Sequence, residues 1–441
     1  MKLLAGAGCT VDFNNRIVRI PQQVLEESIK KPPSNIRLYD RDLTASMDIG
    51  DDNTYAWSGN VGTFVLKSDS GERRPANVRD VAEFARLADA LDNIHVVGVQ
   101  VVPQDVKGPR GEILATREML ANTSKHIFLC HSDPIVAQTQ FKMAEAVLKG
   151  QDLAEFPIMT SLIDPTTPLC WDRGPVEALI ENARARVPCI IASCPISGGT
   201  SPMSMAGTMV VLNAEILSGV LISQLVSPGC PVIYGAAPVM MDMHQGRAVI
   251  GTPETVALRV AIAQLGRFYR LPTMSIGPDS DSHCLDEQNA WEKMMTATAV
   301  ICSQAHILMN AGMFASGLTV SHEQLVVDNE ILGFLYHLRK GIEVTPETLA
   351  TTNIQAVGPG GHFLSKDLHF AKRRLKEEYW VPSISCRSDY DAWVGKGAKN
   401  SLAMAREKAH KILENHRVAE LDADAKRFLD GIATNFKPMT T

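Results

Sequence analysis

The residues that could do chemistry in this 441-residue chain gather in a few short loops. The sharpest is GPGGH, where Gly358, Gly360 and Gly361 permit positive φ, so successive backbone N–H groups can converge on an anion. His362 beside them can donate to a carboxylate or stabilise a leaving group, and His369 follows at helical spacing. The loops PISGGTSPMSMAG, AAPVMMDMHQG, GPDSDSH and AGMFASGLT are rich in Gly, Ser and Met, and few of them pair an acid with a base. Within them Thr200, Ser201 and Asp281 can position a polar group. Methionines at 203, 205, 209, 240, 241, 243, 309 and 313 either pack the core, as Met209 should, or offer a soft apolar surface to a flat partner. Aromatic residues near strand ends are Trp171, Tyr234, Phe314, Phe363, Tyr379 and Trp380, with Tyr55 and Trp57 in the early TYAW; each can serve as core or as one face of a cage. DSDSHCLD holds Asp279, Asp281, His283 and Asp286; a polar loop capping a helix near Asp286 is favoured over a hard-metal site. No phosphate loop of the P-loop or dinucleotide type occurs.

These loops need a frame. Short β-prone segments at 94–101, 126–131, 157–163, 188–194, 231–235, 272–276, 305–310 and 353–358 alternate with helical patterns. The helices fall near 111–123, 134–149, 174–186, 207–227, 253–269, 286–302 and 322–341, with a further one after residue 365. Asp133 before Pro134, and Thr252 before Pro253, read as helix starts. Eight strands alternating with helices indicate an α/β fold, a (β/α)8 TIM-type barrel, over a doubly wound open sheet. Residues 1–78 read as an N-terminal α+β cap with hairpins in VDFNNRIVRIP and GTFVLKSDSGERRP, residues 79–398 as the barrel, and residues 399–441 as a C-terminal helical extension. In such a barrel the chemistry lies at the C-terminal strand ends, which puts GPGGH after the eighth expected strand, where anions commonly bind.

The chain is 45% hydrophobic and 21% charged, with a net charge of −6, which suits a soluble enzyme and gives no sign of nucleic-acid binding. Nine scattered cysteines without CxxC suit a reducing, cytoplasmic location. The apolar helix at 207–227 carries Asn213, Glu215 and Gln224, too polar for a membrane span. The opening MKLLAGAGC reads as the end of an amphipathic helix, as though residues precede it.

The segments GGTSPMSMAGTMVVLNAEILSGVLISQLVSPGCPVIYGA, GTPE, AGMFASGLTVSHEQLVVDNEI and VGPGGHFLSKDLH, with the early RIVRIPQQVLEESIKKPPSNIRLYDRD, resemble the trimethylamine methyltransferase family. The resemblance runs in order from about residue 3 to residue 416. It implies a barrel that moves a methyl group from an amine to the cobalt of a cobalamin-type cofactor on a separate corrinoid protein, with no cofactor bound tightly. The founding enzymes of that family carry pyrrolysine, and this chain has only standard residues. It therefore resembles the branch acting on quaternary amines such as glycine betaine, proline betaine or carnitine, in the one-carbon metabolism of methanogenesis or acetogenesis.

A quaternary ammonium has neither N–H nor lone pair, so aromatic faces are its expected partners. Its loss as a neutral tertiary amine needs no general acid, which accounts for loops poor in acid–base pairs. On this reading Gly360, Gly361 and His362 hold the betaine carboxylate, with His362 the catalytic candidate. Tyr55, Trp57, Trp171, Tyr234 and Phe363 supply the cation cage, and Thr200, Ser201 and Asp281 give polar positioning. No metal site is expected, and a homo-oligomer is. The competing readings are a metal-dependent barrel lyase or hydrolase built on residues 279–286, and a betaine-binding protein without turnover.

Overall fold

The computed structural model describes residues 1–67, 70–363, 375 and 378–437. Eight parallel strands close into a barrel: β1 (Tyr55–Ser58), β2 (Val96–Gly98), β3 (His126–Cys130), β4 (Met159–Ile163), β5 (Cys189–Ser193), β6 (Val232–Ala236), β7 (Thr273–Ile276) and β8 (Ile307–Ala311). The chain crosses outside the barrel through α1 (Val78–Asp89), α2 (Pro109–Asn122), α3 (Pro134–Val147), α4 (Arg173–Ala185), α5 (Met205–Val226), α6 (Pro253–Phe268) and α7 (Glu287–Cys302), and α8 (His322–Lys340) follows the last strand. Strands covered on both faces read as unbroken apolar runs, and β4, β5 and β6 are buried at every position. The (β/α)8 architecture expected from the alternation is the one observed.

Seven of the expected strands correspond to β2 through β8. The eighth, at 353–358, is instead helical over Thr351–Val357. Its place is taken by β1, the TYAW segment. β8 pairs directly with β1, Ile307 opposite Tyr55 and Met309 opposite Trp57. That pairing closes the sheet and leaves no edge for another strand. Strand pairing thus puts the TYAW segment in the barrel wall, where residues 1–78 were expected to form an N-terminal α+β cap. β1 escapes a periodicity search because a hairpin, Phe64–Lys67 with Glu72–Pro75, separates it from α1.

Local chemistry sets the helix starts. Asp133 accepts from the N–H groups of Ile135 (2.8 Å) and Val136 (2.9 Å), and Asp286 accepts from Asn289 N–H (2.9 Å), so the loop at 279–286 caps α7 as its sequence suggests. Thr252 and Ser321 cap α6 and α8 in the same way. The hairpin Ile36–Tyr39 with Ser46–Ile49 seals the N-terminal end of the barrel, where Ile36, Leu38 and Ile49 join the interior cluster around Trp57 and Phe128. The C-terminal helices Ser401–Asn415 and Ala423–Asn435 pack on the barrel's own outer layer. His416 meets Asp89 at 2.7 Å and Arg117 meets Asp430 at 2.8 Å. Among the described residues α5 alone is long and apolar enough to cross a membrane; Leu212, Ile216 and Val220 on it are fully buried.

Two buried ion pairs fix the loops after β7 and β8. Arg259 on α6 meets Asp279 at 2.8 Å, and Lys293 on α7 meets Asp328 on α8 at 2.7 Å. Asp328 also accepts from Gly312 N–H (2.6 Å), and the Lys293 ammonium donates to Met313 O (2.5 Å). Removing one member of such a pair strands the other charge. Asp328→Ala should therefore lower the unfolding free energy by about 3–5 kcal/mol. The double variant Lys293→Met/Asp328→Leu should lose less. Urea titration of the three proteins checks this, and equal losses for single and double variants would contradict it.

Candidate active site at the barrel mouth

Phe128, Leu162 and Ala192 belong to the barrel interior. Alternation along β3, β4 and β5 carries the residues two positions on, Cys130, Asp164 and Cys194, to the same side at the C-terminal mouth. Asp164 and Cys130 are half-buried and Cys194 is exposed. The protein atoms around them raise the pKa of all three. Standing one step past the inward strand residues, they line the C-terminal end of the barrel interior.

Around them stand Asn60 after β1, Gln100 after β2 and Asn310 on β8. Asn60 Nδ2 approaches Cys130 Sγ at 3.1 Å, and Gln100 Nε2 donates to Ala311 O at 3.0 Å. The close approach of these loops requires Gly59, where a Cβ would lie 2.2 Å from Met313 Cγ. Asn310 sits at the bulge between Met309 and Ala311 with φ of 106°, and its Nδ2 donates to Asp279 Oδ1 at 3.0 Å. A non-glycine residue held at such an angle beside a site is strain that the surrounding bonds enforce. Asn60 Oδ1, Gln100 Oε1 and Asp164 Oδ1 are buried with no hydrogen-bond partner among the described residues. A cavity of about 410 Å³ opens beside Cys130, between the loops after β2 and β3, with Glu112, Lys107 and Gln140 in its walls.

The electrostatics of the mouth are distinctive. Burial pushes the Cys130 thiol up to about 12, with Asp164 and Glu112 adding to it against the Asn60 bond. Burial, then Asp164, raises Cys194 well above the usual thiol range. Both thiols are neutral near pH 7. Burial raises the Asp164 carboxyl to about 7, with no hydrogen bond or cation opposing it. No nucleophile–base pair is assembled among these groups: His131 is engaged by Gln140 and by Ser161 at 2.5 Å.

The sequence-derived candidates are dispersed. Trp57 is fully buried inside the barrel, its ring 5.2 Å from that of Phe128. Tyr55 lies at the opposite, N-terminal end of β1, edge-on to His95 at 5.3 Å. Tyr234 is fully buried, its hydroxyl donating to Asn213 on α5 at 2.9 Å. Trp171 Nε1 donates to Ser218 Oγ at 2.8 Å and its ring packs over Gly219 of the same helix. Phe363 is half exposed on the segment beyond α8. The five aromatics therefore form no cage. α8 runs from the mouth to the N-terminal face, where Arg339 bonds the Asp52 carbonyl, so Gly360, Gly361 and His362 follow a helix and not a barrel strand. All three are exposed, and His369 lies outside the described residues.

Thr200 and Ser201 act within their own loop. Thr200 Oγ1 accepts from Ile196 N–H (2.9 Å) and Ser201 Oγ donates to Ile196 O (3.2 Å). Asp281 accepts from Gly251 N–H and Ser316 Oγ, each at 2.7 Å, tying together the loops after β6, β7 and β8. With Asp279 on Arg259 and Asp286 capping α7, the acids of 279–286 face separate partners. The loop methionines Met203, Met205 and Met243 are exposed on the mouth side, while Met309 and Met313 are buried. Sequence reasoning passed over Cys130, Asp164, Cys194, Asn60, Gln100 and Asn310. For the first three the signal was present: counting by twos past each inward apolar residue reaches them.

Burial pushes His95, His126 and His131 each down to about 4. The unfolded chain takes up protons at these rings near pH 6.5, and the folded chain only near 4. The stability they confer is complete above the unfolded value and is lost as pH falls through the folded one. Asp164 runs the other way, as do Glu112, Asp279 and Asp328, all raised by burial, while burial also lowers His306 and His322 and so adds them to the three rings. Urea midpoints should fall by a few kcal/mol equivalent between about pH 7 and about pH 4.5. A flat profile would contradict the buried, neutral state of these rings.

Comparison with known proteins agrees with this fold. A family model described as trimethylamine methyltransferase matches residues 1–435. Trimethylamine methyltransferase MttB of Methanosarcina barkeri is 33% identical over 434 residues, 96% of this chain and 86% of that one. Glycine betaine methyltransferase of Desulfitobacterium hafniense is 34% identical over 414 residues, 92% of this chain and 85% of that one. The crystal structure of the Methanosarcina barkeri monomethylamine methyltransferase superposes with a TM-score of 0.54 at 15% identity, over 95% of this chain and 87% of that one, a likeness of fold. The chain is a methyltransferase that belongs to the trimethylamine methyltransferase family.

Proposed function

We propose that the enzyme takes a methyl group from a quaternary ammonium, with glycine betaine the leading substrate and dimethylglycine its product, and delivers it to the Co(I) of a corrinoid held by a partner protein. The observation that carries this reading is the recess at the mouth: an unpartnered carboxylate between two neutral thiols, with no acid–base pair. The reaction has no proton to move. The carbon–nitrogen bond breaks with its electron pair leaving on nitrogen, and the Co(I) acceptor supplies the pair for the new bond. The protein has to orient the methyl group and keep water away.

The rim suits a broad, flat partner. Val61, Leu169, Met203, Met243 and Leu318 are exposed, and each stands on a loop at the C-terminal face. Exposed apolar residues ringing a recess mark a surface that another molecule covers. Glycine betaine is favoured by the absence of pyrrolysine, with a glycine betaine methyltransferase among the relatives at 34% identity beside trimethylamine methyltransferases at 33%. Gly360, Gly361 and His362, on a segment that follows a helix and not a barrel strand, are not part of this reading.

The test is optical. Cobalamin, or a cognate corrinoid protein, is reduced to Co(I) under anaerobic conditions and mixed with the enzyme and glycine betaine. Methyl-Co(III) should form only when enzyme and betaine are both present. Turnover with proline betaine or carnitine alone would change the substrate, and no turnover with any methylated amine would overturn the reading.

A further inference from the structure

The protein satisfies the buried carboxylates around its barrel by several means. Asp279 has Arg259, and Asp328 has Lys293 with Gly312 N–H and Gln324. Glu215 accepts from Leu169 N–H (2.7 Å), Thr167 and Ser193. Glu330 takes the N–H groups of residues 383 to 385. Asp164 is different: its Oδ1 is buried with no partner, and it stands where the strand opens into the recess. A carboxylate left so, in a fold that compensates the others, is a site prepared for a charge that arrives with a ligand.

We infer that Asp164 is the counter-ion of the substrate's methylammonium group, which sits at the mouth against this carboxylate and the thiols of Cys130 and Cys194 in place of an aromatic cage. This rests on the methyl-transfer reading for the identity of the cation, though not for the existence of a cation site. The geometry is suited to a quaternary centre. Such a nitrogen offers no N–H, so a carboxylate attracts it without needing a directed bond, and neutral thiols are soft, polarisable walls for its methyl groups. The titratable groups facing Asp164 are Cys130 on β3 and Cys194 on β5, both raised by burial, while Cys189 lies further down β5 on its helix-facing side. Glu112 lies beyond Cys130, and Glu215 and Arg259 lie beyond Cys194.

The inference is tested by calorimetric titration of the full chain with tetramethylammonium chloride and with 3,3-dimethylbutanol, a neutral molecule carrying the same branched head. Asp164→Asn should weaken tetramethylammonium binding by about 100-fold, and leave the alcohol unchanged. Wild-type affinity for the cation should fall about tenfold for each pH unit below about 7, where the carboxyl takes up a proton. The variant should show no such slope, and its Tm at about pH 8 should exceed that of the wild type, because it no longer buries a lone charge. That gain in Tm also reports that the variant folds. Equal cation binding by both proteins, or no binding by the wild type, would overturn the inference. Methyl transfer that proceeds undiminished in Asp164→Asn would overturn it while leaving the methyl-transfer reading intact. Asp164-dependent binding without methyl transfer from any amine would do the reverse.

Discussion

Closure of the barrel through β8 and β1 is the constraint on which the rest depends. Once Ile307 lies opposite Tyr55 and Met309 opposite Trp57, the side of every inward residue is fixed by alternation. Trp57, Phe128 and Met274 fill the middle, and the hairpin residues Ile36, Leu38 and Ile49 seal the floor. Among the described residues the mouth is the end left open. There the loops after β7 and β8 are held by two buried ion pairs, and Asp281 ties them to the loop after β6. The same closure raises the bulge that turns Asn310 to positive φ, held by Asp279, which Arg259 in turn neutralises. A rigid rim of this kind is what orienting one methyl group demands.

Much of the frame was legible in the chain because it follows from local rules. Asp133, Thr252 and Asp286 begin helices as their side chains require. Seven strands stand out because two-sided burial makes them continuous apolar runs. TYAW and NIQAVG were misjudged together, for one reason. A short apolar segment is ambiguous between strand and helix until its partner is known. TYAW has β8 and β2 as partners, whereas NIQAVG has none, and Ile354 and Val357 share a face of a short helix. The error at NIQAVG also removed the strand-end setting expected for GPGGH.

The site was less legible, and the family resemblance could not supply it. Aromatics were sought because a cation is often caged by rings, but each ring here answers to a nearer demand. Tyr234 and Trp171 hydrogen-bond to α5, Trp57 fills the interior, and Tyr55 packs at the floor. Asp164 drew no notice as a lone acid after an apolar strand. Its meaning lies in what it lacks, a partner, and that is a property of three-dimensional surroundings rather than of residue type.

The soft character of the mouth follows from the same electrostatics. A thiolate or a charged imidazole near the transferring methyl group would compete for it as a nucleophile or add repulsion to a cation. Burial keeps Cys130 and Cys194 protonated, and it keeps His126 and His131 neutral deeper in the wall. Among these groups Asp164 is the one carboxyl that no cation or hydrogen bond compensates, and its burial in the charged form costs stability. Unlike a thiolate, a carboxylate is a weak nucleophile, so it can neutralise an ammonium without taking its methyl group.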